Sequence, residues 1–199
     1  MQHPSSLSFL SRRIATGAAG AALLALAAAS QAQVVKLSTS EGDIRIQLNA
    51  EKAPKSVANF VQYVKAGHYN GVIFHRVIPG FMIQTGGFGA KLEQKPTKPP
   101  IPLEAGNGLP NVRGSIAMAR TNDPNSATAQ FFINSVDNPG LDPDPMQGKA
   151  GYAVFGQVIE GMEVVDKISA TPTAAKGYAF QNLPVTPIFI NKAIVESKK

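Results

Sequence analysis

The 199-residue chain contains no cysteine and only three histidines. The first absence excludes disulfides, thiol nucleophiles and thiolate metal sites. The second weighs nearly as much. His3 lies in an N-terminal segment expected to be removed. His68 stands just past a helix end, where an imidazolium favours the helix dipole and a capping or surface role is expected. His75 neighbours Arg76 in a strand, so the two point to opposite faces and His75 reads as a hydrogen-bonded structural residue. A histidine-based metal centre or a serine–histidine triad does not fit so small a set. There is no G-x-S-x-G elbow, and "GGFGA" at 86–90 does not open a helix, so it is no phosphate cradle. Paired carboxylates are missing as well, because acids such as Asp142 and Asp144 sit at turns. The lysines are scattered, with no basic stripe interleaved with aromatics, which argues against nucleic acid as a partner.

Long apolar runs are also scarce. One of about 15 residues, from Ala15 to Ala29, follows the Arg12-Arg13 pair and precedes Ser30-Gln31-Ala32. It is shorter than the roughly 20 residues of a membrane-spanning helix. The layout is that of an export signal cleaved after Ala32, through general secretion rather than the twin-arginine route. Residues 33–199 then form one domain of about 167 residues, without stable membrane insertion. The net charge of +6 falls to +4 once Arg12 and Arg13 leave.

Within that domain, short apolar or alternating segments are separated by Gly, Pro, Asn and Asp. "VVKLS" and "DIRIQL" flank Glu41-Gly42 as a hairpin. Pro54 suits a first helical turn and Gly67 a helix end; Val57, Phe60, Val61 and Val64 make one apolar helical face. A second hairpin spans 72–84 around Pro79-Gly80. The Pro/Lys-rich connection 90–104 has no element signature and reads as a functional or mobile loop. "GSIAMAR", "AQFFINS", "YAVFGQVI" and "IFINKAIVE" are further strands, and "GMEVVDKIS" is a short helix burying Met162, Val165 and Ile168. The fold expected is mainly β, a closed eight-stranded antiparallel barrel capped by two α-helices, since closure removes exposed edges.

The chemistry left to such a chain is narrow. On "FHRVIPGFMIQTGG", residues 74–87, Arg76 and Gln84 stand among side chains that favour burial. An arginine, a glutamine and an apolar pocket can bind a ring and donate hydrogen bonds around it. Rotation about an X–Pro amide needs little more, because it breaks no bond and its barrier of about 18–20 kcal/mol is lost C–N double-bond character. The twisted amide regains a nitrogen lone pair. A donor aimed there stabilises the transition state and not the planar ground state. Arginine, always charged and carrying a fixed fork of donors, suits that role.

The motifs "FHRVIPGFMIQTGG", "GSIAMAR", "AQFFIN" and "YAVFGQVIEGMEVVDKI" together resemble the cyclophilins, peptidyl-prolyl cis/trans isomerases, over essentially all of 34–195. The signal segment, "MART" and "GYAVFG" resemble the exported bacterial branch. The resemblance implies the same helix-capped barrel and gives each position a role. Arg76 would donate toward the prolyl nitrogen and Gln84 would hold a substrate carbonyl. Phe81, Met82, Phe132 and Leu141 would wall the proline pocket, with Phe131 and Ile133 turned to the core. Ala119, Arg120 and Thr121 would line the groove for preceding residues, and Gln130 would support Arg76 or the substrate. Tyr152 stands where many members carry histidine, Arg120 where eukaryotic members have asparagine, and Thr85 in place of a glycine. Gly140 occupies the position of a tryptophan important for cyclosporin, which implies weak cyclosporin binding. The expected partners are proline-containing unfolded or partly folded polypeptides, the expected place is the periplasm, the expected state is a monomer, and no cofactor is required. The alternative on the same fold is a non-catalytic chaperone or adaptor that holds proline segments. A lipocalin-type ligand barrel fits less well, since bulky inward residues should fill the interior.

Overall fold

The computed structural model describes residues 33–196. The signal expected at 1–32 lies outside them. In chain order the strands are β1 (Val34–Thr39), β2 (Gly42–Leu48), β3 (Val72–Ile73), β4 (Arg76–Ile78), β5 (Met82–Thr85), β6 (Ser115–Met118), β7 (Phe131–Asn134), β8 (Val154–Glu160), β9 (Thr173–Lys176), β10 (Phe180–Pro184) and β11 (Phe189–Val195). The helices are α1 (Pro54–Lys65) and α2 (Met162–Ser169).

Alternation sets the faces of the first hairpin. Val35 and Leu37 on β1, and Ile44, Ile46 and Leu48 on β2, all point into one core. Gly42 at the turn has φ 137°, and a Cβ there would stand 2.7 Å from Val164 Cγ2 on α2. The turn therefore tolerates glycine alone while α2 packs against it.

Nine strands form one strongly curled antiparallel sheet in the order β3-β11-β1-β2-β8-β6-β7-β5-β4. Its two edge strands, β3 and β4, are consecutive in the chain, with only Phe74 and His75 between them. The mainly β, two-helix architecture matches the expectation, but the strand count differs from eight. The stretch 72–78 is broken where it changes partner. The Phe74 amide donates to Ile188 O at 2.9 Å, and the next amide, of His75, donates to Gln84 O at 3.2 Å. A separate two-stranded ribbon, β9–β10, is a further addition. Its sequence, with exposed Ala174, Ala175 and Lys176, carries no apolar alternation to announce it.

The core is one large cluster inside the curl. Phe60 of α1 is fully buried and meets Phe131 of β7 edge-on at 5.1 Å, Phe155 of β8 at 5.2 Å and Tyr69 at 5.3 Å. Val164, Val165 and Ile168 of α2 are buried; Met162 is only partly so.

The connection 90–104 proves to be an anchored strap. Lys95 N donates to Gly87 O (2.9 Å), Lys98 N to the Tyr63 hydroxyl (2.8 Å), Ile101 N to Ala127 O (2.9 Å) and Leu103 N to Asn125 Oδ1 (3.0 Å). At its end, Glu104 caps α1. The residue preceding the helix, Ala53, offers no side-chain cap. Glu104 instead accepts from the amides of Lys55 (3.0 Å) and Ser56 (2.8 Å) and from Ser56 Oγ (2.8 Å). A carboxylate at a helix N-terminus satisfies orphan donors and the dipole together. Glu104→Ala is expected to lower stability by about 1–2 kcal/mol in urea unfolding, with the slope unchanged.

Candidate active site

One short hairpin builds one wall of the site. In the β4–β5 ladder Arg76 pairs with Gln84 and Ile78 with Met82; in β5–β7, Gln84 pairs with Phe132. Register alone thus lines up Arg76, Gln84 and Phe132 across three strands, on one face. Val77, Ile83, Phe131 and Ile133, on the opposite face, join the main core. Met82, Phe132, Ala117 and Val154 form a second, smaller buried cluster, with Phe81, Leu141, Tyr152 and Ala119 packed on it.

This second cluster floors an open pocket of about 200 Å³ lined by Arg76, Phe81, Met82, Gln84, Ala119, Arg120, Phe132, Leu141 and Tyr152. The volume lies below the roughly 300–1,000 Å³ of pockets that enclose a drug-sized ligand, and so suits a single small ring. Nine of the eleven residues expected from the sequence therefore meet there. Gln130 stands one step behind: Gln84 Nε2 donates to Gln130 Oε1 at 2.9 Å, and Arg76 Nη1 reaches Gln84 Oε1 at 3.4 Å and Met82 Sδ at 3.8 Å. Thr121 is exposed and outside the pocket lining; its hydroxyl donates to Ser126 Oγ at 2.8 Å. The Arg76 contacts are long and weak, so the exposed guanidinium keeps its donors available.

The double glycine that ends the hairpin makes room for this row. A Cβ on Gly86 would lie 2.5 Å from Ala129 O, and one on Gly87 would lie 2.6 Å from Gln130 Nε2. Only bare backbone lets the chain just after β5 pass so close to Ala129–Gln130.

The far wall depends on Leu141, whose loop a buried amide network holds. Asn134, fully buried on β7, donates to Ser115 Oγ (2.8 Å) and Asn111 Oδ1 (3.2 Å). Its own Oδ1 accepts from Asn138 Nδ2 (2.7 Å), which also donates to Phe81 O (2.9 Å). Asp142 Oδ1 accepts from both nitrogens of Asn111, and the Tyr152 amide donates to Leu141 O at 3.0 Å. Sequence reasoning missed this network. Its one signal was an asparagine ending the apolar run "FFIN". Gly140 is exposed with open space around it.

The two histidines of the domain sit behind the site. Burial lowers the pKa of His68, whose Nε2 lies 3.0 Å from Gly86 O. Burial thus disfavours the charged ring, in contrast to the imidazolium expected at the helix end. His75 is buried against Phe88, ring centroids 4.8 Å apart, and its Nδ1 has no hydrogen-bond partner among the described residues. Burial pushes its pKa down to about 4. At pH above about 6.5 the ring is neutral folded or unfolded. Below that, the unfolded chain takes up a proton that the folded chain refuses. Stability should thus fall from pH 6.5 toward 4 at about 1.4 kcal/mol per pH unit. The His75→Gln variant should show a shallower slope in urea titrations across that range.

The cyclophilin-type peptidyl-prolyl cis-trans isomerase family model matches residues 34–195. The chain is a cyclophilin. It is 54% identical over 171 residues to peptidyl-prolyl cis-trans isomerase A of Dickeya dadantii, covering 86% of this chain and 88% of that one. With peptidyl-prolyl cis-trans isomerase B of Escherichia coli K12 it shares 51% identity over 164 residues, 81% of this chain and 99% of the relative. Among solved structures, a Cryptosporidium parvum cyclophilin superposes with TM-score 0.69 at 26% identity, covering 84% of this chain and 99% of that chain. The same parasite protein, in a structure determined in the presence of the dipeptide Ala-Pro, gives TM-score 0.69 at 27% identity, covering 83% and 100%. These relatives place the cyclophilin among enzymes, in its bacterial branch, rather than among non-catalytic binding modules.

Proposed function

We propose that this cyclophilin isomerises X–Pro bonds without covalent chemistry, using Arg76 as the donor to the prolyl nitrogen. One juxtaposition carries the reading: a guanidinium with free donors stands at the rim of an apolar pocket sized for one ring. The proline ring sits on Phe81, Met82, Phe132 and Leu141. Gln84, held by Gln130, retains one N–H for a substrate carbonyl. With the ring held, the carbonyl side of the amide turns. As the nitrogen pyramidalises, Arg76 gains a hydrogen bond that the planar amide cannot offer. Ala119 and Thr121 flank the path of the residues that precede the proline. A protease-coupled assay on one X–Pro peptide tests the reading: turnover is expected from the wild type and largely absent in Arg76→Ala.

In the cell the enzyme assists folding of proline-containing polypeptides in the periplasm, as a monomer. Uncatalysed isomerisation takes tens to hundreds of seconds and limits folding. Fusing residues 1–32 to a reporter active only after export tests the location, and sedimentation equilibrium tests the monomer. Cyclosporin should bind weakly, because open space at Gly140 replaces an aromatic contact; a nanomolar titration would contradict that.

A further inference from the structure

Four arginines lie among the described residues, and they divide sharply. Arg45 pairs with Glu160 and Glu196, and Arg113 pairs with Asp166 at 2.7 Å. The other two, Arg76 and Arg120, line the pocket, and neither forms an ion pair among the described residues. No carboxylate lines the pocket with them. The acids of the neighbouring loops are engaged elsewhere. Asp123 Oδ1 accepts from Asn125 N, Asp142 Oδ1 from Asn111, and Asp144 Oδ1 from the amides of Met146 and Gln147.

Arg120 is also held in place. Its guanidinium carbon lies 4.6 Å from the centroid of the Tyr152 ring, which in turn meets Phe132 edge-on at 5.6 Å. Nε donates to Gly151 O at 3.0 Å and Nη1 to Thr121 O at 2.8 Å. Those bonds use one face and one edge of the fork. Nη2 makes no hydrogen bond among the described residues, on a side chain that lines the pocket. A stacked, pinned cation has already lost its rotamer freedom, so engaging an anion costs it little more.

We infer that Arg120 is a specificity-determining residue that favours substrates carrying a carboxylate, aspartate or glutamate, in a residue flanking the proline. The inference rests on the pocket being the proline site. Arg76 faces the amide nitrogen, while Arg120, on the Tyr152 wall, meets the chain beside the proline. Its positive field raises the encounter rate of acidic segments and lowers that of basic ones.

The test uses proline peptides that differ only in the flanking residue, Glu, Gln or Lys, in one series before the proline and one after it. The readout is the ratio of kcat/KM for Glu over Lys. In the wild type that ratio should reach about fivefold at low salt in one series and shrink at high salt. It should fall toward one in Arg120→Gln, persist in Arg120→Lys and invert in Arg120→Glu. A wild-type ratio near one in both series, or one that Arg120→Gln leaves unchanged, would overturn the inference. Turnover of the Gln peptides, and its loss in Arg76→Ala, tests the proline-site reading separately.

Discussion

An Arg76→Ala variant should lose about 10²–10³-fold in kcat/KM on an X–Pro peptide, while its Tm stays within about 2 °C of the parent. Both halves follow from where Arg76 stands. The side chain is exposed on β4 and makes only long contacts to Gln84 and Met82, so its removal leaves no buried partner unsatisfied. The pocket floor does not depend on it, because Met82, Phe132, Ala117 and Val154 pack on one another. Removal does delete the donor that strengthens as the amide twists. KM should change much less than kcat, the pattern of an interaction made chiefly in the transition state. Arg76→Lys keeps the charge but loses the fork, and should recover only part of the loss.

The largest stability effect should come from Phe60→Ala, at about 3–5 kcal/mol. Phe60 is fully buried and touches Tyr69, Phe131 and Phe155 at ring separations near 5 Å. Truncation removes these aromatic contacts at once. The curled strands around it cannot collapse into the space without breaking their ladders. At about 2–4 °C per kcal/mol for a domain of this size, Tm should drop by roughly 10 °C. Any activity that remains below the new Tm should be close to normal, since Phe131 faces the core and only Phe132 faces the pocket. Calorimetry and peptide turnover on the same sample separate the two effects.

The contrast between adjacent residues explains why so much of the site was legible. Strand alternation sends Phe131 and Phe132 to opposite faces, and the same rule separates His75 from Arg76. Antiparallel register then brings Arg76, Gln84 and Phe132 side by side. Elements without a period were not legible. The ribbon β9–β10 is short and buries only Pro184, so it carries no alternation. The strap 90–104 owes its order to distant partners such as Tyr63 and Ala127, and nothing local announces them. The same holds for Asn134, whose role depends on Asn111 and Ser115, brought in from a segment 23 and 19 residues upstream, meeting Asn138 four residues on. For His68 a helix-end position favours a charged ring, whereas burial opposes the charge. Strand 72–78 looked continuous because its apolar run is unbroken, yet its backbone changes partners at Phe74–His75.

The most direct test of the mechanism separates holding the proline from turning it. Two-dimensional exchange NMR on an X–Pro peptide, with enzyme at a small fraction of the peptide, reports cis/trans interconversion. Line broadening in the same spectra reports binding. For Arg76→Ala the peptide should still bind, with Kd within about tenfold of the wild type, since one surface hydrogen bond to a charged group is worth about that much. The catalysed exchange peaks should vanish over the same mixing times. Exchange at close to the wild-type rate in that variant would contradict the assignment of Arg76 as the donor.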